Sequence, residues 1–195
     1  MKRLVLVLGG ARSGKSRYAE KLAEPYEGKR TFIATAEAID AEFRERIFEH
    51  QKSRGADWIT REAPLDMTEA LAETRDFVLI DCLTVWIGNL MHHGFDVDAE
   101  IGKLCERLGT SKANIVIVSN EVGLGIVPDS SMARAFRDKQ GLANQRLAAI
   151  ADEVVLIAAG LPVILKKESR RRAPRPKARK ARGGKVAGRG RYRGG

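Results

Sequence analysis

The stretch Gly9-Gly10-Ala11-Arg12-Ser13-Gly14-Lys15-Ser16 constrains this chain more than any other. It follows the apolar run Leu4-Val5-Leu6-Val7-Leu8 and leads into Arg17-Tyr18-Ala19-Glu20-Lys21-Leu22-Ala23, so a buried strand, a glycine turn and a helix start come in that order. The spacing is G-x-x-x-x-G-K-[ST], a phosphate-binding loop in the context its mechanics require. Gly9 and Gly14 let the backbone turn its amides inward around a phosphate, and the helix N-terminus adds partial positive charge. Lys15 then reaches the outer phosphates, and the Ser16 hydroxyl can ligate Mg²⁺. A glycine-rich strand-to-helix turn with an incidental lysine is the bland alternative, and spacing, flanks and context together argue against it.

Such a loop needs a sheet around it, and 195 residues are enough for one ordinary domain with an appendage. The formal charge of +10 is unevenly placed: from Lys166 onward lie 14 of the 35 Lys/Arg and one of the 25 Asp/Glu, which leaves the first 165 residues at a net −3. The overall basicity therefore describes the tail and not the body. Residues 1–166 are read as one folded domain, and 167–195 as a basic tail with too little apolar surface to offset its ordering entropy. Cys82 and Cys105 make no disulfide framework, and Cys82 falls in a run that reads as buried strand. No apolar stretch approaches the roughly 18 residues needed to span a bilayer. Met1-Lys2-Arg3 before Leu4 imitates a signal peptide, but the apolar part is too short and opens into the phosphate loop; the cytoplasm is the expected location.

Along the chain, Thr31 to Thr35 reads as a second strand and Ala38 to Arg54 as a helix. At helical spacing Ile39, Phe43 and Ile47 share an arc of about 80°, and Arg46, His50 and Arg54 lie in or beside it. A histidine flanked by two arginines is thus expected to face the protein body or a crevice. Asp57 to Thr60 is a short strand and Leu65 to Thr74 a short helix. Phe77-Val78-Leu79-Ile80-Asp81-Cys82-Leu83 is the continuous apolar run, ending in an acid, of a central parallel strand. Helices are expected over Thr84 to Met91 and Val97 to Leu108, and Ile115 to Ser119 is a fourth core strand that opens into Asn120-Glu121-Val122-Gly123-Leu124-Gly125-Ile126-Val127-Pro128. Met132 to Ala151 reads as a long helix broken at Gly141, and Val154 to Ala158 with Pro162 to Leu165 as a terminal hairpin. Strands alternating with helices predict an α/β sandwich with a mostly parallel sheet and ligands at the carboxyl ends of its strands.

Asp81 ends a buried strand and can hold Mg²⁺ directly or through water, or else cap the next helix; Lys15 and Ser16 in the same chain favour the metal. Together with the phosphate loop, the segments Ile33-Ala34-Thr35-Ala36, Arg46-Ile47-x-x-His50, Trp58-x-Thr60-x-Glu62, Asp81-Cys82-Leu83-Thr84, Ser119-Asn120-Glu121-Val122-Gly123-x-Gly125-Ile126-Val127-Pro128 and Arg137-Asp138-x-x-Gly141-x-x-Asn144-Gln145 closely resemble the bifunctional adenosylcobinamide kinase / adenosylcobinamide-phosphate guanylyltransferase family of cobalamin biosynthesis. The resemblance runs in order over about residues 1–166. It implies a RecA-like P-loop NTPase fold, a mostly parallel central sheet flanked by helices with a C-terminal strand hairpin. It also implies two reactions: a nucleoside triphosphate, ATP or GTP, phosphorylates the aminopropanol hydroxyl of adenosylcobinamide, and GTP then donates GMP to the new phosphate.

In the family GMP passes through a covalent histidine, and the matching position is His50, with Arg46 and Arg54 placed to stabilise charge on the α-phosphate. A neutral imidazole is a competent nucleophile toward phosphorus. By the same carry-over Ala34, Thr35, Ala36, Gln51, Lys52, Ser53, Arg54, Glu62 and Asp81 contact GTP, with Glu62 accepting from the guanine N1 and N2 edge; read alone, Glu62 is a surface acid in a loop. Asn120 and Glu121 are read as positioning Mg²⁺ or the cobinamide side chain. The resemblance further implies a homo-oligomer, a homotrimer in particular, with small-molecule corrinoid partners. Two features depart from the family pattern: Gln51 stands where a basic residue often follows the histidine, and the basic tail continues past the usual end. The tail could contact nucleic acid, although Tyr192 is its one aromatic for stacking. Two competing readings follow: a RecA-like nucleic-acid-binding NTPase that uses the tail, and a P-loop kinase without guanylyl transfer, in which His50 is structural.

Overall fold

The structure is a computed structural model in which residues 2–37, 57–74 and 76–167 are described. Among these residues seven strands form one sheet: β1 Leu4–Gly9, β2 Arg30–Ala34, β3 Trp58–Glu62, β4 Phe77–Asp81, β5 Asn114–Asn120, β6 Glu153–Ala158 and β7 Leu161–Lys167. Their spatial order is β3-β2-β4-β5-β1-β6-β7, and every pairing is parallel except β6 with β7. The helices among the described residues are α1 Lys15–Ala23, α2 Met67–Ala72, α3 Leu83–His92, α4 Val97–Thr110 and α5 Ser131–Ile150. This is the RecA-like P-loop arrangement that the sequence leads one to expect, with the antiparallel hairpin at its carboxyl end. Among the described residues no helix is long and apolar enough to cross a membrane.

Strand alternation divides the core in two. Leu4, Leu6, Ile33, Val78, Ile80, Ile115 and Ile117 point to one face, where α2 to α5 cover them with Met67, Leu71, Trp86, Leu90, Leu104 and Leu147. Val5, Val7, Phe32, Leu79, Val116, Val118 and Val155 point to the other face, against Ala19 and Ala23 of α1. Each such large side chain, fully buried, stabilises the fold by about 1.5–3 kcal/mol. Trp86 is fully buried, and its indole N–H donates to the Leu65 carbonyl at 2.8 Å, so its single polar atom is satisfied. The edge strand β7 exposes Leu161, Val163, Ile164 and Leu165.

Two local expectations are corrected. The helix over Gly141 is continuous from Ser131 to Ile150; a helical glycine weakens but does not break a helix whose apolar stripe is held by the sheet. Cys82 is not in a strand. β4 stops at Asp81, and Cys82 is the extended N-cap residue of α3, where burial and then the Asp81 charge push its thiol up.

Candidate functional site

β1 delivers the phosphate loop to the carboxyl edge of the sheet. Gly9 has φ 155° and Gly14, at the start of α1, has φ 97°. A Cβ on Gly9 would stand 2.5 Å from the Ile157 carbonyl oxygen and 2.7 Å from Ser13 Oγ, so no side chain fits there. Gly9→Ala is therefore expected to destabilise the fold by about 2–6 kcal/mol, combining overpacking with backbone strain. A shift in the urea unfolding midpoint at constant slope checks this, and an unmoved midpoint would refute the packing argument.

Lys15 is buried, and its Nζ donates to the Gly10 carbonyl at 2.6 Å. Burial pulls the Lys15 ammonium below the usual lysine range, and the Cys82 and Asp81 charges partly offset that shift. Ser13 Oγ is buried with no hydrogen-bond partner among the described residues, and it lies against Gly9 across the loop. An orphaned hydroxyl and a buried cation in a glycine cradle suit phosphoryl oxygens. The turn between β6 and β7 buttresses the loop, since the Gly160 N–H donates to the Ser13 carbonyl at 3.0 Å.

Strand register assembles the rest. Glu62 of β3 pairs with Ala34 of β2, and Ala34 pairs with Asp81 of β4. The three form one lateral row across the strand ends, about 10 Å from the first to the third at ordinary strand spacing. Ala34 belongs to the α1 side of the core, so the row shares that face with Lys15. Asp81 lies near enough to raise the Lys15 affinity for its proton. It does not occupy the N-cap of α3, which falls to Cys82. Among the described residues no three His, Cys, Asp or Glu side chains cluster as a metal cage. Mg²⁺ is ordinarily held by one or two carboxylates together with substrate phosphates, which Asp81 beside the phosphate loop fits.

Other candidates are placed differently. The Thr35 side chain is fully buried and committed to Cys82: its Oγ1 donates to the Cys82 carbonyl at 2.8 Å and accepts from the Cys82 N–H at 2.9 Å. Asn89 of α3 then donates to the carbonyls of Thr35 and Pro64, at 2.8 and 3.0 Å, and so ties the ends of β2 and β3 together. Gly10, Ala11 and Arg12 are exposed at the rim of the loop and Ser16 is half-buried, as is Ala36, while Glu62 is exposed. His50, Gln51, Lys52, Ser53 and Arg54, with Arg46, lie outside the described residues.

Sequence reasoning missed a buried polar group behind the site. Ser119 Oγ donates to Asn144 Oδ1 at 2.7 Å, Gln140 Nε2 donates to Ser119 Oγ at 2.8 Å and to Asn144 Oδ1 at 3.0 Å, and Asn144 Nδ2 donates to the Asn120 carbonyl at 3.1 Å. The Asn120 N–H donates to Thr84 Oγ1 at 2.7 Å. The available signal was the stripe Phe136, Gln140, Ala143, Asn144, Leu147, in which two amides occupy positions that helical spacing assigns to the core.

Residues 5–165 match the family model described as cobinamide kinase / cobinamide phosphate guanyltransferase. The bifunctional adenosylcobalamin biosynthesis protein CobP of Pseudomonas aeruginosa is 44% identical, covering 84% of this chain and 97% of that one. The CobU proteins of Escherichia coli K12 and Salmonella typhimurium LT2, which carry the same description, are 39% and 41% identical, each covering 84% of this chain and 99% of theirs. Among solved structures, a KaiC-like protein of Pyrococcus horikoshii aligns over 88% of this chain and 82% of its own, with 15% identity and a TM-score of 0.49. With a family model spanning nearly the whole body, and relatives near 40% identity over almost their full lengths, the chain belongs to the cobinamide kinase / cobinamide phosphate guanyltransferase family.

Proposed function

We propose that the chain phosphorylates adenosylcobinamide and then transfers GMP from GTP to the product, giving adenosylcobinamide-GDP in cobalamin biosynthesis in the cytoplasm. The observation that carries the reading is the arrangement on one face of one sheet edge: the glycine cradle with buried Lys15, and beside it the row Asp81, Ala34, Glu62. A triphosphate lying along that edge has its phosphates at the cradle and its base toward β3. Glu62, a carboxylate that only accepts, suits the guanine N1 and N2 donors.

In the first reaction the corrinoid hydroxyl oxygen attacks the γ-phosphorus, the bond to the bridging oxygen breaks, and the nucleoside diphosphate leaves as the hydroxyl proton passes to solution. Lys15 and the loop amides hold the phosphates in line and meet the charge that develops on them. Ser16 and Asp81 would hold Mg²⁺, which neutralises charge on the outer phosphate oxygens when bound. In the second reaction the His50 imidazole nitrogen attacks the α-phosphorus of GTP and pyrophosphate leaves. The phosphate oxygen of the corrinoid then displaces the imidazole from phosphorus.

Incubation of the purified chain with GTP, Mg²⁺ and adenosylcobinamide, followed by mass analysis of the corrinoid, tests this. The expected product carries one added phosphoryl and one added GMP. A corrinoid that stops at the monophosphate would remove the second activity, and an unchanged corrinoid would remove both. Family membership does not favour the alternative of a polymer-binding NTPase.

A further inference from the structure

Asn120 is held in an unusual way. Both of its main-chain polar groups are taken by side chains from two different helices: its N–H by Thr84 of α3 at 2.7 Å, and its carbonyl by Asn144 of α5 at 3.1 Å. Thr84, Ser119, Gln140 and Asn144 are all buried. The Asn144 amide has little freedom to turn, because its oxygen already accepts from Ser119 and Gln140, which leaves its N–H₂ aimed at Asn120. The next residue is tied as well, since the Glu121 N–H donates to the carbonyl of Gly9, the first glycine of the phosphate loop, at 3.1 Å.

Alternation along β5 gives this grip a purpose. Ile115 and Ile117 point to the face covered by α3 and α5, and Ser119 follows them into the polar group there. Val116 and Val118 point to the α1 face, so the Asn120 side chain emerges on that face, half-buried. Asp81 pairs with Val118 and Gly9 with Asn120. Asn120 therefore stands one strand over and one pleat beyond Asp81, roughly 8 Å away between Cα atoms at ordinary strand geometry. Its strand lies between the one that ends in the Asp81 carboxylate and the one that carries the phosphate loop.

We infer that Thr84 and Asn144 are positioning residues of the transfer reactions: gripping the Asn120 main chain from the far side of the sheet, they aim its side-chain amide at the phosphate being transferred. The inference deepens the proposed function and rests on it for the identity of the acceptor. The Asn120 N–H₂ donates to a phosphoryl oxygen, and the grip keeps the amide from following the loop after β5, whose Leu124 and Ile126 are exposed. A donor fixed before the reaction begins stabilises the transition state without reorganising.

A double-mutant cycle on the full chain tests it. Thr84→Val keeps the shape of the side chain and removes the acceptor for the Asn120 N–H. It is expected to lower kcat for adenosylcobinamide phosphorylation by about tenfold or more, with the nucleotide KM within about twofold. Thr84→Ser, which keeps the hydroxyl, is expected to stay within about threefold of the parent. Asn120→Ala should lose activity comparably, and the double variant should lose no more than the worse single one, because the two act as a unit. Losses that multiply, or a Thr84→Val chain with a lower unfolding temperature but an undiminished kcat per folded molecule, would overturn the inference. Should Thr84→Val not fold, Asn144→Asp, which keeps shape and acceptor oxygens but not the N–H₂, reads the other half of the grip by the same two outcomes. The cycle is also run on the slow hydrolysis of GTP without corrinoid. Coupling there, with no turnover of adenosylcobinamide by the parent, refutes the acceptor and not the grip.

Discussion

Lys15→Met is expected to lower kcat for corrinoid phosphorylation by about 10²–10³-fold, the usual loss when one preorganised partner of a developing oxyanion is removed. Methionine keeps the unbranched stem that packs beside Gly9 and deletes only the charge. The unfolding temperature should not fall. Burial disfavours the Lys15 ammonium in the free protein by more than the neighbouring Asp81 charge favours it, so its removal relieves a net penalty while forfeiting one hydrogen bond to the Gly10 carbonyl. The two readouts therefore move apart, with activity collapsing while stability holds or rises. Steady-state kinetics beside a thermal melt checks this. A chain that loses both together would mean that Lys15 serves the fold and not the phosphates.

His50→Ala is expected to leave no nucleotide on the protein. Incubated with GTP labelled at the α-phosphate and no corrinoid, the parent chain should acquire a label that is lost in acid and survives base, as a phosphoramidate does, and the variant should remain at background. With corrinoid present the variant's product should halt at the monophosphate, since the second transfer has lost its nucleophile. Retention of the label by His50→Ala would assign the covalent step to another side chain. A parent chain that takes no label under any condition would argue for direct transfer between the two substrates.

Much of this architecture can be read without coordinates, and the reason is physical. Central parallel strands must be apolar on both faces, so β1, β4 and β5 stand out as unbroken runs, and the residues ending β1 and β4 fall at the ligand edge by topology alone. Which polar residues become neighbours there is another matter. Glu62 and Asp81 share a row only because β2 lies between them in a particular register, and that register is set by pairings distant in sequence. Thr35 looks like part of the pocket from its position after β2, yet its hydroxyl is spent on the Cys82 backbone. Gln140 and Asn144 interrupt an otherwise apolar stripe, which flags a buried polar group but does not name the partners it will find. Gly141 misleads for the opposite reason, since packing of α5 on the sheet outweighs the local preference of one residue.

The turn at Gly160 that leans on Ser13 carries a consequence for how the chain is made. β1 is made before the strands it pairs with: both of its lateral neighbours, β5 and β6, come more than a hundred residues later, and the prop under its loop later still. Such widely separated partners make closure of the sheet a late, slow event. A nascent polypeptide therefore displays its glycine-rich motif well before the strands and the turn that hold that motif in shape have been made, so the loop reaches its final form only once β6 and the turn at Gly160 are in place.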